Sequence, residues 1–330
     1  MRIGIDAMGG DHAPHEIVRG AVEGLVELNG AELVLIGDED AVRAELAKHS
    51  GWEGRVEIVP TTEVIGMNES PVDALRKKKD ASIPRMAMLA AEKAVDAVIS
   101  AGNTGACAAA CQLKIRPLRG LHRPGIAVVL PSFHGPLVVC DVGANIAAKP
   151  KHLHQYAIMA SLYAREVLRV ENPRVGLLSV GEEDAKGTSL VKKARELIRE
   201  ETRINFIGNV EGRDLFRGTV DVAVCDGFVG NIVLKLTEGL AEGLFKTISA
   251  EIATEIPHLA KDFQPVMEKV WANHDYSEYG GAPLLGVDGV CIICHGSSDH
   301  RAIRNAVRVA SESVERQLNS VIADGLAKGR

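Results

Sequence analysis

The chain has 330 residues, of which 46% are hydrophobic and 25% charged, with a formal net charge of −6 at pH 7. This composition is typical of a globular protein and excludes a disordered or fibrous chain, while the negative charge argues against general nucleic-acid binding. Glycine is abundant at 33 residues and aromatic residues make up only 4%, which favours close packing of helices on a sheet.

Ten apolar runs alternate with amphipathic segments along the chain. The predicted strands are 2–7, 33–37, 56–59, 97–101, 126–130, 137–141, 175–180, 205–207, 220–225 and 290–294. Near-continuous apolar strands are typical of a parallel sheet covered on both faces. Ser70-Pro71 and Lys149-Pro150 indicate two helix starts, with Ser70 as a cap. We therefore predict a single large α/β domain over 1–330, a three-layer αβα sandwich with a largely parallel sheet.

Residues 236–275 interrupt this alternation. Leu240, Leu244 and Ile248 continue a series at every fourth position, and a second apolar helical pattern follows Pro257. The spacing predicts a helical hairpin inserted in the domain. Two interpretations remain open: internal packing or a dimer interface, and contact with a membrane or partner. The hairpin has no excess of Lys or Arg, so strong attraction to anionic lipid is not expected.

Four glycine-containing loops each follow a predicted strand and open a helical segment. They are 9–12, 102–105, 143–145 and 227–231. Ligands of parallel α/β sheets bind outside the carboxyl ends of the strands, where free N–H groups at helix starts attract anions. The four loops together predict a phosphate-type anion site at one edge of the sheet.

A fifth loop, 181–187, carries three acidic residues and Lys186. The acids are consistent with a helix start, and Lys186 is consistent with an ordinary surface residue. We also expect this loop at the same sheet edge as the glycine loops, where Lys186 would meet the anion.

Nucleotide and serine-hydrolase motifs are absent from the sequence. We find no G-x-G-x-x-G, no G-x-x-x-x-G-K-[ST] and no G-x-S-x-G. Cys291 to His295 match the C-x-x-C-H spacing of haem attachment, but strand residues three apart face opposite sides, so we predict neither haem nor a disulfide there. We expect no metal and no cofactor.

Two basic segments stand out in this acidic chain. They contain Arg76, Lys77, Lys78 and Lys79, and Arg116, Arg119 and Arg123. Each is consistent with a solvated face or with docking of an acidic partner.

Seven segments in chain order resemble the PlsX family of bacterial phosphate acyltransferases. They are 6–11, 100–106, 141–145, 181–187, 208–214, 226–231 and 279–286. The resemblance runs from residue 2 to about residue 310, and seven motifs in order are highly specific. Ala147 and Ser179 depart from the family pattern, in which an acid and Asn are usual at these positions.

The resemblance implies a fold similar to isocitrate and isopropylmalate dehydrogenases and phosphotransacetylases. It implies a homodimer in the cytoplasm that is either soluble or peripherally associated with the inner face of the cell membrane. The implied reaction transfers a long-chain acyl group from acyl carrier protein to inorganic phosphate. A downstream membrane acyltransferase would then use the acyl phosphate to acylate glycerol 3-phosphate.

The resemblance and the loop chemistry together suggest roles for individual residues. Phosphate ligands are expected at Ser100, Gly102, Asn103, Thr104, Gly105 and Lys186, and catalytic roles at Lys186, Asn231 and Asn103. The substrate pocket is expected to include Asp6, Gly9, Gly10, Asp11, His12, Asp141, Asn145, Glu182, Glu183, Asn209, Glu211, Asp226, Gly227, Gly230 and His295. The two basic segments are the expected docking sites for acyl carrier protein, which is acidic.

Three alternatives remain at the sequence level. A phosphotransacetylase would use a short acyl–coenzyme A. An oxidoreductase of the isocitrate type would need a dinucleotide and usually a divalent metal. A membrane-surface scaffold would carry the hairpin on an inactive α/β domain.

Overall fold

The computed structural model describes residues 1–132, 134–274 and 279–327, without the side chains of residues 268 and 271–274. The strands are β1 (Arg2–Asp6), β2 (Glu32–Gly37), β3 (Val56–Pro60), β4 (Ala97–Ser100), β5 (Gly125–Ser132), β6 (Gly135–Cys140), β7 (Arg174–Leu178), β8 (Asn205–Val210), β9 (Val222–Val224), β10 (Ala282–Leu285) and β11 (Val290–Ile293). The helices are α1 (His15–Glu27), α2 (Glu39–Leu46), α3 (Pro71–Lys77), α4 (Ser82–Ala91), α5 (Thr104–Lys114), α6 (Pro150–Glu166), α7 (Ser189–Arg199), α8 (Gly227–Glu255), α9 (Ala260–His274), α10 (His300–Glu315) and α11 (Leu318–Ala327).

The local signals in the sequence explain most of these boundaries. Pro71 and Pro150 occupy the first positions of α3 and α6, as predicted. Ser70 precedes α3 but makes no side-chain capping bond, so its predicted capping role is wrong. Asp38 and Asp299 do cap helices, since their carboxylates accept backbone N–H bonds of 2.8 and 3.0 Å at the starts of α2 and α10.

All eleven strands form one hydrogen-bonded sheet in the order β3-β2-β1-β4-β11-β10-β5-β6-β9-β7-β8. The strands β3, β2, β1, β4 and β11 run parallel, and so do β6, β9, β7 and β8. Three successive antiparallel pairings, β11 with β10, β10 with β5 and β5 with β6, separate the two groups. The second group therefore runs opposite to the first.

This reversal corrects one expectation about the loops. The loops at 9–12 and 102–105 follow β1 and β4, whereas those at 143–145, 181–187 and 227–231 follow β6, β7 and β9. The carboxyl ends of the two groups lie at opposite edges of the sheet. The prediction that all these loops follow strands of one direction to the same sheet edge is wrong, because the sequence pattern did not reveal β10. Residues of the loops at 102–105, 143–145 and 227–231 nevertheless line one cavity, which spans the sheet between them.

Apolar side chains cover both faces of the sheet. One buried cluster packs α1, α2, α6, α7, α10 and α11 on one face, and a second packs α3, α4, α5 and part of α8 on the other. Cys291 belongs to one cluster and Cys294 to the other, so the prediction that they face opposite sides is confirmed. The predicted αβα arrangement is confirmed as well.

Helices α8 and α9 occupy the region predicted as a hairpin, except that residue 275 lies outside the described residues. Four apolar side chains of α8 are largely exposed: Leu236 (67%), Leu240 (60%), Leu244 (53%) and Ile248 (45%). Internal packing therefore does not account for this face. Among the described residues, no helix has the length and apolar character that crossing a membrane requires.

Candidate functional site

A cavity of about 380 Å³ lies between α5, α8 and the start of β5. The first residues of both helices line it: Thr104 and Gly105 of α5, and Gly227, Phe228 and Asn231 of α8. Helix N-termini carry unpaired N–H groups and the positive end of the helix dipole. In α8 the N–H groups of residues 227–229 already bond to Asn145 O and Asp226 Oδ1, so the start of α5 is the place that the cavity offers to an anion. The volume falls in the range of small-molecule sites, about 300–1,000 Å³.

The remaining wall of this cavity is mostly apolar. It includes Ala108, Ala109, Ile126, Val142, Ile146, Phe228 and Leu284. Ile146 and Phe228 are 73% and 59% exposed, so the apolar surface continues to the outside. A ligand with both an anionic and an aliphatic part fits this combination.

Asn231 and Thr104 are the exposed polar side chains of the cavity wall on these two helices. Neither side chain makes a hydrogen bond within the described part of the chain, so the Asn231 amide and the Thr104 hydroxyl are available to a ligand. The predicted positions of both residues in the site are thus compatible with the geometry.

Asn103 has a different role in the structure. Its side-chain oxygen accepts a 3.0 Å bond from Ala106 N and caps α5, and its amide nitrogen donates to the carbonyl oxygens of Gly66, Met67 and Glu69. The side chain is 6% exposed. Because these bonds occupy the amide, the predicted catalytic role of the Asn103 side chain is not supported.

Asp6 and Ser100 form a buried pair at the ends of β1 and β4. The Ser100 hydroxyl donates to Asp6 Oδ2 over 2.7 Å and accepts a bond from Gly102 N. Burial raises the pKa of Asp6. Gly9 packs so closely here that a Cβ atom would lie 2.4 Å from Asp6 Oδ2 and 2.6 Å from Gly102 N. The pair therefore holds the loops rather than facing the cavity.

The loop after β11 joins this same edge. Asp11 N donates to Gly296 O over 2.8 Å, and a Cβ atom on Gly10 would lie 3.0 Å from that oxygen. His12 is exposed beside them. The predicted residues at the ends of β1, β4 and β11 are thus brought together.

Asp141, after β6, organises the loop on the opposite edge. Its Oδ1 accepts bonds from Ile126 N, Gly143 N and Ala144 N at 2.9–3.1 Å, and its Oδ2 accepts one from Asn145 N at 2.7 Å. Burial raises the pKa of Asp141, while these N–H groups act in the opposite direction. The Asp141 carboxylate therefore fixes the conformation of the 143–145 loop, whose residues Gly143 and Ala144 line the cavity.

Asn145 and Asp226 extend this framework. The Asn145 amide donates to Pro124 O over 2.6 Å and to the Tyr156 hydroxyl over 2.8 Å. Asp226 caps α8 by accepting bonds from Phe228 N and Val229 N at 3.0 and 3.1 Å. Gly230 lies against Asp141 in the first turn of the helix.

The loop that contains Lys186 lies apart from the cavity wall. Lys186 is exposed, and its side chain packs over Gly181 without a hydrogen bond or ion pair to any described residue. Asn209 donates to Glu183 O over 3.2 Å, and Glu211 pairs with Arg213 over 2.9 Å. Glu182, like Lys186, is exposed. The loop does share the sheet edge of the 143–145 and 227–231 loops, since β7 adjoins β9.

Lys235 is a candidate that sequence reasoning missed. Its Nζ lies 3.0 Å from His295 Nε2 and 2.8 Å from Glu238 Oε2, and His295 Nδ1 lies 2.8 Å from Ser297 Oγ. Lys235 follows Asn231 by four residues, so both lie on one face of α8. That spacing was the available signal once α8 was known to begin at Gly227.

The two basic segments differ in their contacts. Arg76, Lys77 and Lys79 are exposed, whereas Lys78 donates to Glu69 Oε1 and Val64 O. In the second segment Arg116, Arg119 and Arg123 are exposed, whereas Leu118 between them is buried. The segment ends beside Pro124, which lines the cavity.

Comparison with known sequences gives a consistent result. A family profile described as "Fatty acid synthesis protein" matches residues 1–321. The chain is 50% identical to the phosphate acyltransferase of Halothermothrix orenii, with 99% of each chain covered. It is 44% identical to the phosphate acyltransferase of Dictyoglomus turgidum, with 99% of this chain and 98% of the relative covered.

Solved structures with the same fold are distant in sequence. A phosphotransacetylase from Streptococcus pyogenes superimposes with a TM-score of 0.66 at 16% identity, covering 96% of this chain and 94% of that one. A 4-hydroxythreonine-4-phosphate dehydrogenase from Klebsiella pneumoniae superimposes with a TM-score of 0.53 at 15% identity, covering 95% and 99%. These similarities establish the fold alone.

Proposed function

The chain belongs to the fatty acid synthesis protein family, and on that basis we propose that it transfers a long-chain acyl group from acyl carrier protein to inorganic phosphate. The family relatives named phosphate acyltransferase support acyl transfer to phosphate. The observation that carries the proposal is the cavity, where the N-terminus of α5 meets an apolar wall. Phosphate suits the first feature and a fatty acyl chain the second.

The proposed reaction needs no nucleophile from the protein. A phosphate oxygen attacks the thioester carbonyl carbon, the carbon–sulfur bond breaks, and the carrier's thiolate leaves and takes up a proton from water. Phosphate is already anionic at neutral pH, and a thiol with a pKa near 8.5 is a good leaving group. The protein's part is to position two reactants and to stabilise the oxyanion.

Asn231 is the proposed donor to the carbonyl oxygen, because its unpaired amide lies in the cavity wall. Thr104 and the N–H groups of the first turn of α5 are the proposed phosphate ligands. Lys186 remains a proposed ligand of the phosphate, although it lies outside the cavity wall. Its loop would have to close over the adjoining end of β9 when substrate binds.

The decisive experiment traps the product. We would mix the full chain with palmitoyl–acyl carrier protein and phosphate, add hydroxylamine and measure the hydroxamate. We expect hydroxamate to form only when phosphate is present. The absence of phosphate-dependent hydroxamate would overturn the proposal. Faster turnover of acetyl–coenzyme A would favour a phosphotransacetylase instead, and vesicle binding without any product would favour a scaffold.

Lys186→Ala tests the assignment of that lysine. We expect most turnover to be lost while the free energy of unfolding is unchanged, because the side chain is exposed and unpaired. Lys192→Ala, an exposed lysine on α7, is the matched control. Near-normal turnover of Lys186→Ala would remove Lys186 from the site.

We propose that acyl carrier protein docks on the segment with Arg116, Arg119 and Arg123. This segment leads directly to Pro124, which lines the same cavity as Asn231, and this proximity supports docking there because the pantetheine thioester would have a short path to Asn231. Replacing all three arginines by Glu should raise the KM for acyl carrier protein and weaken its salt dependence. A larger effect from the same change at Arg76, Lys77 and Lys79 would assign docking to the first segment.

We also propose a homodimeric, cytoplasmic protein that touches the inner face of the membrane through 236–275. The exposed apolar side chains of α8, at Leu236, Leu240, Leu244 and Ile248, support this proposal. The need to pass acyl phosphate to a membrane acyltransferase that acylates glycerol 3-phosphate supports it as well. Leu240→Glu should abolish flotation with phosphatidylglycerol vesicles while the dimer mass persists in sedimentation. Loss of the dimer instead would assign these apolar side chains to the dimer interface.

A further inference from the structure

Three cysteine thiols meet in the interior between α5 and β11. Cys107 and Cys111 lie one turn apart on α5, and Cys291 lies opposite them on β11. The Sγ atoms of Cys111 and Cys291 are 3.4 Å apart, and all three sulfurs lie within 4.8 Å of one another. Their exposures are 0%, 0% and 2%. The proposed acyl transfer uses none of them.

The spacing of the sulfurs matches a single soft ion. With bonds near 2.3 Å, three sulfurs around one centre lie about 4 Å from each other. Structural zinc prefers four protein ligands, and within the described residues this group supplies three. Three coordination therefore suits the cluster better than a tetrahedral zinc site does.

The net charge of the occupied site further restricts which ion the three thiolates can hold. A buried site strongly penalises uncompensated charge. Three thiolates with a monovalent or divalent ion leave a net negative charge in the core, whereas three thiolates with a trivalent ion are neutral. We propose that Cys107, Cys111 and Cys291 form a binding site for a trivalent thiophilic metalloid such as arsenic(III), which enters as the neutral hydroxide.

The capture reaction balances without any oxidant. As(OH)₃ and three thiols give the tris-thiolate and three water molecules, so three As–O and three S–H bonds are exchanged for three As–S and three O–H bonds. The thiolate is the attacking species.

The cysteine cluster is connected to the cavity through helix α5. Helix α5 carries Cys107 and Cys111 and begins with Thr104 and Gly105 in the cavity wall. An ion bonded to α5 and β11 draws the two elements together and fixes the position of that helix start. We therefore expect arsenite to change turnover slowly, at the rate at which the core opens.

Native mass spectrometry of the full chain is the test, with arsenite as the probe. We expect one adduct whose mass equals one arsenic atom less three hydrogen atoms. An adduct that retains one hydroxyl, and so weighs one water more, would show capture by two thiols and overturn the three-thiol site. Arsenite is also present during refolding from urea, so that burial cannot block access, and no adduct after refolding would overturn the proposal.

Matched cysteine variants locate the site. Cys111→Ala and Cys291→Ala should each abolish the three-thiol adduct, whereas Cys225→Ala, which removes a buried thiol outside the cluster, should retain it. Circular dichroism melting of each free variant verifies folding. Loss of the adduct in Cys225→Ala, or its survival in Cys111→Ala, would assign the arsenic to other thiols.

Discussion

Gly230, in the first turn of α8, lies close against the loop after β6. A Cβ atom there would lie 2.0 Å from the carbonyl oxygen of Asp141, about 1.4 Å short of the 3.4 Å at which ordinary contact begins. The loop has little freedom to retreat, because four backbone N–H groups hold the Asp141 carboxylate. Gly230→Ala should therefore push the start of α8 outwards, and Asn231 moves with it.

The expected effects of this substitution follow from the size of the clash. Overpacking costs roughly 1–3 kcal/mol, and alanine recovers about 0.5–1 kcal/mol of helix preference over glycine. We expect the free energy of unfolding to fall by about 1–2 kcal/mol. Misplacing a reacting group by about 1 Å costs roughly 10²-fold, so turnover should fall by about that factor.

Urea denaturation and the hydroxamate assay measure these two effects. Gly243→Ala, on the same helix, is the matched control because its Cβ atom would meet no atom within 4 Å beyond the adjacent backbone of α8 itself. It should raise stability by about 0.5–1 kcal/mol and leave turnover unchanged in the absence of vesicles. If Gly230→Ala matches Gly243→Ala in both measurements, the close approach of α8 to the Asp141 loop does not control the site.

Two further substitutions test the framework. Arg203 holds the pKa of Glu201 below its usual value, so the Glu201 carboxylate stabilises the fold above pH about 4.3, and the effect is lost as pH falls through the lowered pKa. Glu201→Gln should cost about 1.5–3 kcal/mol at pH 7 in urea denaturation, and a deficit that persists in full at pH 3 would contradict this. Asn103→Ala should cost about 2 kcal/mol through the lost cap and the lost bonds to the loop at 66–69. An unchanged denaturation midpoint would show that these bonds contribute nothing.

The sequence was sufficient for the layered architecture because most of its strands are near-continuous apolar runs. The strand β10 escaped detection, since it is only four residues long and contains Pro283. This short strand makes two of the three antiparallel pairings that reverse the strand direction between the two halves of the sheet. Direction within a sheet depends on pairing between distant segments, which apolar periodicity does not report.

Individual site residues were harder to predict than the loops that contain them. The glycine loops around Gly105, Gly143 and Gly227 do line one cavity. Asn103 has the residue type of an oxyanion donor, yet its amide is used by a loop 34–37 residues away in the chain. Lys235 becomes visible only when its contact with His295 is known. Contacts between remote segments decided each of these cases.

The place of β10 and β11 in the sheet bears on how the chain folds as it is synthesised. Both strands come from residues 282–293, yet they pair with β4 on one side and β5 on the other. While a nascent chain still lacks this segment, β4 and β5 each present an unpaired edge, the kind of surface on which misassembly begins. The two halves of the sheet therefore join late, after residues 282–293 have been synthesised. Assembly of the complete sheet depends on this C-terminal segment.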